Sequence, residues 1–232
     1  MLIGCDPKRD STINIVRKQL KPLLELIVEK ESVEFEEVVH KGYNGVLCVE
    51  IGGPEPGIGC AGRGLLLAFK TLKDLGVFDL DLDLIIYDVP GDVVCGGFAV
   101  PMRRGYAREV YIVTSGEYLS LFAANNICKA IRRVGAKLGG IICNSRGVKG
   151  EIEIVKRFAE MIGSRLIGVI PRSKEINLSE LNSKTVLEFM PESDVANIFR
   201  RLAEEIWKNE KLVTPRVLTF DELRSINVTE CR

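Results

Sequence analysis

Residues 138–170 read LGGIICNSRGVKGEIEIVKRFAEMIGSRLIGVI, with two short apolar runs on either side of a longer periodic segment. The runs, 138–143 and 166–170, contain no charged residue, as is typical of strands buried on both faces of a parallel sheet. The segment between them, 149–162, has the length of a crossover helix. The stretch therefore predicts one strand–helix–strand unit of a parallel α/β sheet.

The same pattern extends outward along the chain. Further short apolar runs occupy 82–87 and 110–113, and helical periodicity occupies 118–134 and 194–207. Nearer the start we predict strands ending at Gly4 and over 46–50, a helix over 65–75, and a helix over 12–29 that is capped by Asp10 or Ser11 and divided at Pro22. Together these elements predict a doubly wound, mostly parallel sheet in a single domain over residues 1–232.

Composition excludes several classes of protein. The chain has 32 Lys and Arg against 32 Asp and Glu, so its net charge of zero argues against a nucleic-acid partner. No apolar run reaches the length of a membrane span, and the first residues do not resemble a signal peptide. We therefore expect a cytoplasmic protein without nucleic-acid or membrane partners. Its seven cysteines are then better explained as metal ligands or packing residues than as disulfides.

Polar residues follow the predicted strands. They are Asp88, Ser115, Asn144, Pro171 and Arg172. Open α/β sheets bind their ligands at the carboxyl ends of the strands, so this row predicts a binding edge. The alternative is that polar residues simply terminate strands.

Two cysteines lie among glycines, Cys60 in GIGCAG and Cys95 in VVCGGF. Glycine lets the backbone approach a ligand closely and leaves amide groups to donate to sulfur, which suits an iron–sulfur cluster. A 4Fe–4S cluster needs four thiolates, so two cysteines per chain predict one cluster shared by a symmetric homodimer. The alternative is a pair of small buried cysteines in tight turns. Of the others, Cys5 could lie near a site, whereas Cys48, Cys128, Cys143 and Cys231 are expected to be packing residues or exposed thiols.

Two further segments carry nucleotide chemistry. In LIIYDVPGD, residues 84–92, an apolar strand ends in Asp88, the pattern that holds the metal of a bound nucleotide. Gly91 stands where a switch glycine would sense the γ-phosphate. In GCDPKRDST, residues 4–12, Asp6, Lys8 and Asp10 suit magnesium and phosphate, although a helix-capping segment with a surface lysine is the simpler interpretation.

Taken together, GCDPKRDST, GGPEPGIGCAGRG, DVPGDVVCGGFAVP, SGEYLSLFAANNI and LGGIICNSR resemble the nitrogenase iron protein (dinitrogenase reductase) family. The resemblance runs from residue 1 to about 223. It implies a sheet of the P-loop NTPase type and an ATP-dependent reductase. Such a protein receives electrons from a ferredoxin or flavodoxin and passes them singly from a 4Fe–4S cluster to a larger catalytic partner, gated by hydrolysis of MgATP.

The resemblance also implies roles for individual positions. Cys60 and Cys95 match the cluster ligands, and Asp88 matches the aspartate beside the nucleotide's metal. Asp6, Lys8 and Asp10 match the first switch segment, and Gly91 and Asp92 match the second. The residues that match positions around the adenosine are Asn144, Pro171, Arg172 and Glu180. Arg63 and Arg103 match arginines of the docking face, and Arg63 matches the one that is ADP-ribosylated in some members.

The largest departure from the family is the absence of a P-loop. The sequence contains no G-x-x-x-x-G-K-S/T, and the family's first strand–P-loop–helix unit has no counterpart here. A P-loop supplies amide groups and a lysine to the phosphates, so we expect an N-terminally truncated chain with impaired binding of MgATP. There are smaller departures. This chain has Ser173 where the family usually has an aspartate, Tyr106 where nitrogenase members often have a lysine, and Pro90 where a leucine is more usual. Its tail after Leu223 is short.

Three alternatives stay open. The chain could be the iron protein of a nitrogenase-like system that reduces tetrapyrroles, a related P-loop ATPase of the partitioning type without redox chemistry, or an inactive remnant unable to bind ATP. Cys60 and Cys95 argue against the second. The missing P-loop keeps the third open.

Overall fold

The computed structural model describes residues 1–53, 61–91, 99–103 and 105–228. The chain divides into two compact units, which we call unit 1 (Met1–Pro101 and Leu178–Phe189) and unit 2 (Met102–Asn177 and Met190–Arg232). The assignment of residues 1–232 to a single domain stays a prediction.

Unit 1 is built on a four-stranded sheet. Its strands are β1 (Leu2–Gly4), β2 (His40–Lys41), β3 (Leu47–Glu50) and β4 (Ile86–Asp88). The order across the sheet is β2-β3-β1-β4, and only the β2–β3 pair is antiparallel. Gly4 is opposite Glu50 on one side and Asp88 on the other. Two acidic residues therefore flank the end of β1.

The chain around this sheet in sequence forms several helices. They are α1 (Ile13–Val16), α2 (Leu23–Glu29), α3 (Phe35–Val38) and α4 (Ala61–Asp74), with 3₁₀ turns at Tyr43–Gly45 and Val77–Asp79. Farther along the chain come α5 (Ala99–Arg103), α8 (Lys174–Leu181) and α9 (Val186–Phe189).

Two helix predictions in unit 1 are wrong in detail. The helix predicted over 12–29 is divided into α1 and α2 as Pro22 indicated, but the break spans 17–22 because Arg17 adopts a left-handed conformation that ends α1. Thr12 is the N-cap in place of Asp10 or Ser11, and its side chain makes no capping bond to α1. Helix α4 begins at Ala61, so the end of the glycine-rich stretch is helical. A side chain at Gly64 would lie 3.0 Å from Leu24 Cδ1, so glycine permits this close packing.

Unit 2 contains the parallel sheet β5-β6-β7, formed by β5 (Val110–Thr114), β6 (Leu138–Asn144) and β7 (Leu166–Ile170). Its helices are α6 (Tyr118–Val134), α7 (Glu151–Met161), α10 (Asp194–Trp207) and α11 (Phe220–Val228). Every residue of β6 except Asn144 is buried. The predicted strand–helix–strand unit and the predicted mostly parallel α/β architecture are confirmed.

Strands β4 and β5 depart from the predicted burial on both faces. Leu84, which precedes β4 although it lies in the predicted run 82–87, is 44% exposed; Ile86 in β4 is 53% exposed and Val113 in β5 is 57% exposed. The reason lies in the topology, since each strand is the outer strand of its own sheet among the described residues. None of the helices in the described ranges combines the length and the apolar character that crossing a membrane requires.

Candidate functional site

The loop after β1 carries the acidic and basic groups that the sequence singled out. Lys8 Nζ lies 3.5 Å from Asp6 Oδ2 and 3.6 Å from Asp10 Oδ2, and the Lys8 backbone amide donates to Asp6 Oδ1 at 2.9 Å. Asp6, with Asp10 adding to its effect, raises the pKa of Lys8. The loop thus presents one exposed ammonium group held between two carboxylates.

Asp88 lies at the same end of the sheet. The Cys5 amide donates to the Asp88 carbonyl oxygen at 2.9 Å, so the start of the 6–10 loop is tied to the end of β4. Gly91 follows in an exposed bend, and no described atom lies within 4 Å of the position its Cβ would take. Asp92 lies outside the described residues.

Glu50 is a site residue that the sequence interpretation missed. It is only 2% exposed, and its Oε1 accepts from both the amide and the hydroxyl of Thr12 at 2.8 Å. Burial raises the pKa of Glu50, and the two bonds from Thr12 counteract that rise. The available signal was an acidic residue at the end of the apolar strand LCVE.

The acidic groups of unit 1 fit a magnesium–nucleotide better than a metal held by protein alone. Among the described residues no group of three or more His, Cys, Asp or Glu side chains could hold a metal ion. Mg²⁺ is usually bound through one or two carboxylates, water and substrate phosphates, and Asp6, Asp10 and Asp88 supply carboxylates of that kind.

The cysteines divide by their chemistry. Cys60, Cys95 and Cys231 lie outside the described residues. The other four are free and buried, and burial is the main cause that raises the pKa of Cys5 and Cys128 to about 12 and that of Cys48 and Cys143 to about 11. Metal ligation requires thiolates. These four sites therefore favour the protonated thiol and do not suit a cluster.

Three residues predicted to lie around an adenosine meet in unit 2. Asn144 ends β6 opposite Ile170 of β7, and Pro171 and Arg172 follow directly. Asn144 and Arg172 are exposed. Glu180 is an exposed residue of α8. Ser173, where the family usually has aspartate, accepts from the Ile176 amide at the start of α8 and donates to Glu175.

Glu151 supports this edge and was also missed. It is 2% exposed, and it accepts from the Gly116 amide after β5 and from the Ser145 hydroxyl and two amides, those of Arg146 and Gly147, after β6. Burial alone would raise the pKa of Glu151, but these bonds outweigh it and hold the pKa below its ordinary value. Glu151 thereby fixes two loops at the carboxyl end of the unit 2 sheet.

The two arginines expected at a docking face are both helical. Arg63 is exposed near the start of α4, and Arg103 is the last residue of α5. The side chain of Arg103 lies outside the described part of the structure.

Comparison with known proteins identifies the family. The model for 4Fe-4S iron sulfur cluster binding proteins, NifH/frxC family, matches residues 1–231. The chain belongs to the NifH/frxC family. Nitrogenase iron protein 2 of Methanothermobacter thermautotrophicus is 54% identical over 222 residues, covering 96% of this chain and 84% of that protein. The nitrogenase iron protein of Methanospirillum hungatei is 52% identical over 235 residues, covering 97% of this chain and 83% of that one.

Solved structures place this NifH/frxC-family chain among P-loop NTPase folds. The septum site-determining protein MinD of Pyrococcus horikoshii, in complex with Mg-ADP, matches with a TM-score of 0.69 at 20% identity, over 89% of this chain and 82% of that one. The cell division ATPase MinD of Pyrococcus furiosus gives 0.68 at 20% identity, over 89% and 85%. At this identity the likeness establishes the fold alone, and it confirms the predicted fold class.

Proposed function

We propose that this chain is the ATP-dependent reductase component of a nitrogenase-like system. Two copies share one 4Fe–4S cluster through Cys60 and Cys95 and pass single electrons to a larger catalytic protein in the cytoplasm. A ferredoxin or flavodoxin supplies the electrons. The observation that carries the proposal is the division of the cysteines. The four described thiols are buried with raised pKa values, and of the remaining three only Cys60 and Cys95 are flanked by glycines.

In this proposal the residues at the end of the unit 1 sheet handle the nucleotide. Lys8 offers its ammonium group to phosphate oxygens, and Asp6 and Asp10 orient Lys8 and the water around magnesium. Asp88 holds the metal, while Gly91 and Asp92 change position with the state of the nucleotide. Since Asp88 precedes Cys95 by seven residues in sequence, such a change would reach a cluster ligand.

The remaining candidates bind the adenosine or the partner. Asn144, Pro171, Arg172 and Glu180 contact the adenosine, with Glu151 holding the loop after Asn144. Arg63 and Arg103 contact the catalytic protein, and ADP-ribosylation of Arg63 would block that contact by adding bulk at an exposed position. When bound, the cluster supplies a one-electron carrier.

The test is iron content after anaerobic purification. We expect about four iron atoms per two chains and the electron paramagnetic resonance of a reduced 4Fe–4S cluster. Cys60→Ser and Cys95→Ser should each abolish both signals, whereas the matched control Cys128→Ser should keep them because Cys128 is a buried packing residue. A folded, iron-free wild-type chain would overturn the proposal.

The nucleotide part of the proposal has its own test, which is calorimetric titration of the cluster-loaded dimer with MgATP. Binding supports the gated reductase, and a cluster-loaded dimer that does not bind MgATP argues against it.

A further inference from the structure

Glu50 is a buried acid with half of its carboxylate unsatisfied. Its Oε1 holds the amide and hydroxyl of Thr12, but its Oε2 has no hydrogen-bond partner among the described residues. An ionisable group is costly to bury without full pairing, and an apolar side chain would fill the end of β3 at lower cost. The bond to Thr12, 38 residues away in sequence, therefore indicates that Glu50 has a role other than packing.

Close packing around Gly4 brings the two segments together. A side chain at Gly4 would place its Cβ 2.2 Å from Glu50 Oε2 and 2.8 Å from Ser11 Cβ. Real side chains do not approach so closely, so glycine is required for β1 to pass between Glu50 and Ser11. The residues just after the 6–10 loop are thus held directly against the end of β3.

The residues after Glu50 contact the same loop at a second point. The Ile51 amide donates to the Gly4 carbonyl at 2.8 Å. A Cβ on Gly53 would lie 2.6 Å from Pro7 Cγ. The residues that flank the 6–10 loop are therefore bonded to residues 50–51, Gly4 before the loop to Ile51 and Thr12 after it to Glu50, and Pro7 within the loop lies close to Gly53.

We propose that Glu50 is a positioning residue that makes the 6–10 loop and residues 50–53 move as one body, and so links the loop to the chain that runs on to Cys60. This inference rests on the proposed function, in which the loop senses the nucleotide and Cys60 holds the cluster. It adds a second route to the cluster, separate from the one between Asp88 and Cys95.

Hydrogen exchange on the full-length dimer tests the link. Glu50→Leu removes both bonds to Thr12, and we expect about tenfold faster exchange in residues 5–12 and in residues 51–60 together. Thr12→Val keeps the amide bond and should give about a threefold increase in both windows. Glu50→Gln keeps an acceptor oxygen and should restore exchange to within about twofold of wild type. The rate at which a chelator removes iron should follow the same order.

Two comparisons make the result decisive. Residues 138–144 of β6 serve as an internal reference, and Thr114→Val is the matched control because Thr114 is another buried threonine, located in unit 2. Faster exchange at 5–12 with none at 51–60 would overturn the proposal, as would a uniform increase that includes 138–144 in the Thr12→Val chain. If Glu50→Leu fails to fold, Thr12→Val decides. An iron-free wild type would defeat the proposed function, and the exchange data would still decide whether the link exists.

Discussion

The backbone amide of Cys5 donates a hydrogen bond to the carbonyl oxygen of Asp88 across 2.9 Å. The bond joins the start of the 6–10 loop to the end of β4, so two residues that are 83 apart in sequence reach the same edge of the sheet. It also places the Cys5 thiol near an acid. Burial first, and then the charges of Asp88 and Glu50, raise the pKa of that thiol to about 12.

The first prediction concerns thiol labelling. In the native protein at pH 8, iodoacetamide should leave Cys5, Cys48, Cys128 and Cys143 unmodified, because all four are buried and their pKa values lie at about 11 or 12. Peptide mass spectrometry before and after unfolding in urea measures this. Labelling of Cys60 and Cys95 only after iron has been removed would agree with ligation. Rapid native labelling of any of the four would contradict their assignment as buried thiols.

The second prediction concerns acid stability through Glu151. Because its folded pKa lies below the ordinary 4.5, its contribution to stability is present above about pH 4.5 and is lost as the pH falls through the folded pKa. Glu151→Ala should reduce the free energy of unfolding by about 2 kcal/mol at pH 7, since it leaves several buried donors without an acceptor.

Urea unfolding from pH 7 to pH 3.5 measures the effect. The difference between wild type and Glu151→Ala should shrink as the solution becomes acidic. Glu153→Ala is the control, since Glu153 lies on the exposed face of the same helix. A difference that stays constant with pH would show that the charge of Glu151 contributes nothing to the free energy of unfolding.

The third prediction contrasts two glycines. A Cβ at Gly139 would lie 2.6 Å from the Tyr111 ring, so Gly139→Ala should destabilise the protein by about 2 kcal/mol. Gly91 has open space among the described residues, so Gly91→Ala should change the free energy of unfolding by less than about 0.5 kcal/mol. Loss of electron delivery in a Gly91→Ala chain of unchanged stability would then be a functional effect. Equal destabilisation by both substitutions would refute the contrast.

The fourth prediction concerns Lys8. Its ion pairs with Asp6 and Asp10 are solvent-exposed, so Lys8→Gln should leave the urea midpoint unchanged. Lys208→Gln, which removes another exposed pair, is the matched control. Under the proposed function, only Lys8→Gln should weaken delivery of electrons to the partner in the presence of MgATP. A large loss of stability in the Lys8 variant would instead show that Lys8 stabilises the fold.

Local signals made the regular elements of unit 2 predictable. Helices α6 and α10 have the predicted limits because their amphipathic pattern is long and their ends are marked, by Gly135 in a left-handed conformation and by the Ser193 side chain, which accepts from the Ala196 amide. The break at Arg17 was not predictable in this way. Its guanidinium pairs with Glu188, 171 residues farther along the chain, and no local pattern encodes such a contact.

The same distinction between local signals and long-range contacts applies to the candidate site. The proximity of Asp6, Lys8 and Asp10 was predictable because they are neighbours in sequence, and their role stays a prediction. Glu50 was missed because its partner Thr12 is 38 residues away; Glu151 has near partners at 145–147, but burial of its carboxylate and its bond to Gly116, 35 residues away, have no local sequence signal.

The exposed apolar side chains of β4 and β5 affect the tendency of the purified protein to aggregate. Ile86 and Val113 stand on outer strands, whose backbone can template association with other molecules. With a net charge of zero at pH 7 and an isoelectric point near 6.6, little electrostatic repulsion opposes such contacts. We therefore expect precipitation to be fastest near pH 6.6 and slower at pH 8.5. Light scattering across that range measures the rate of aggregation that the exposed outer strands cause.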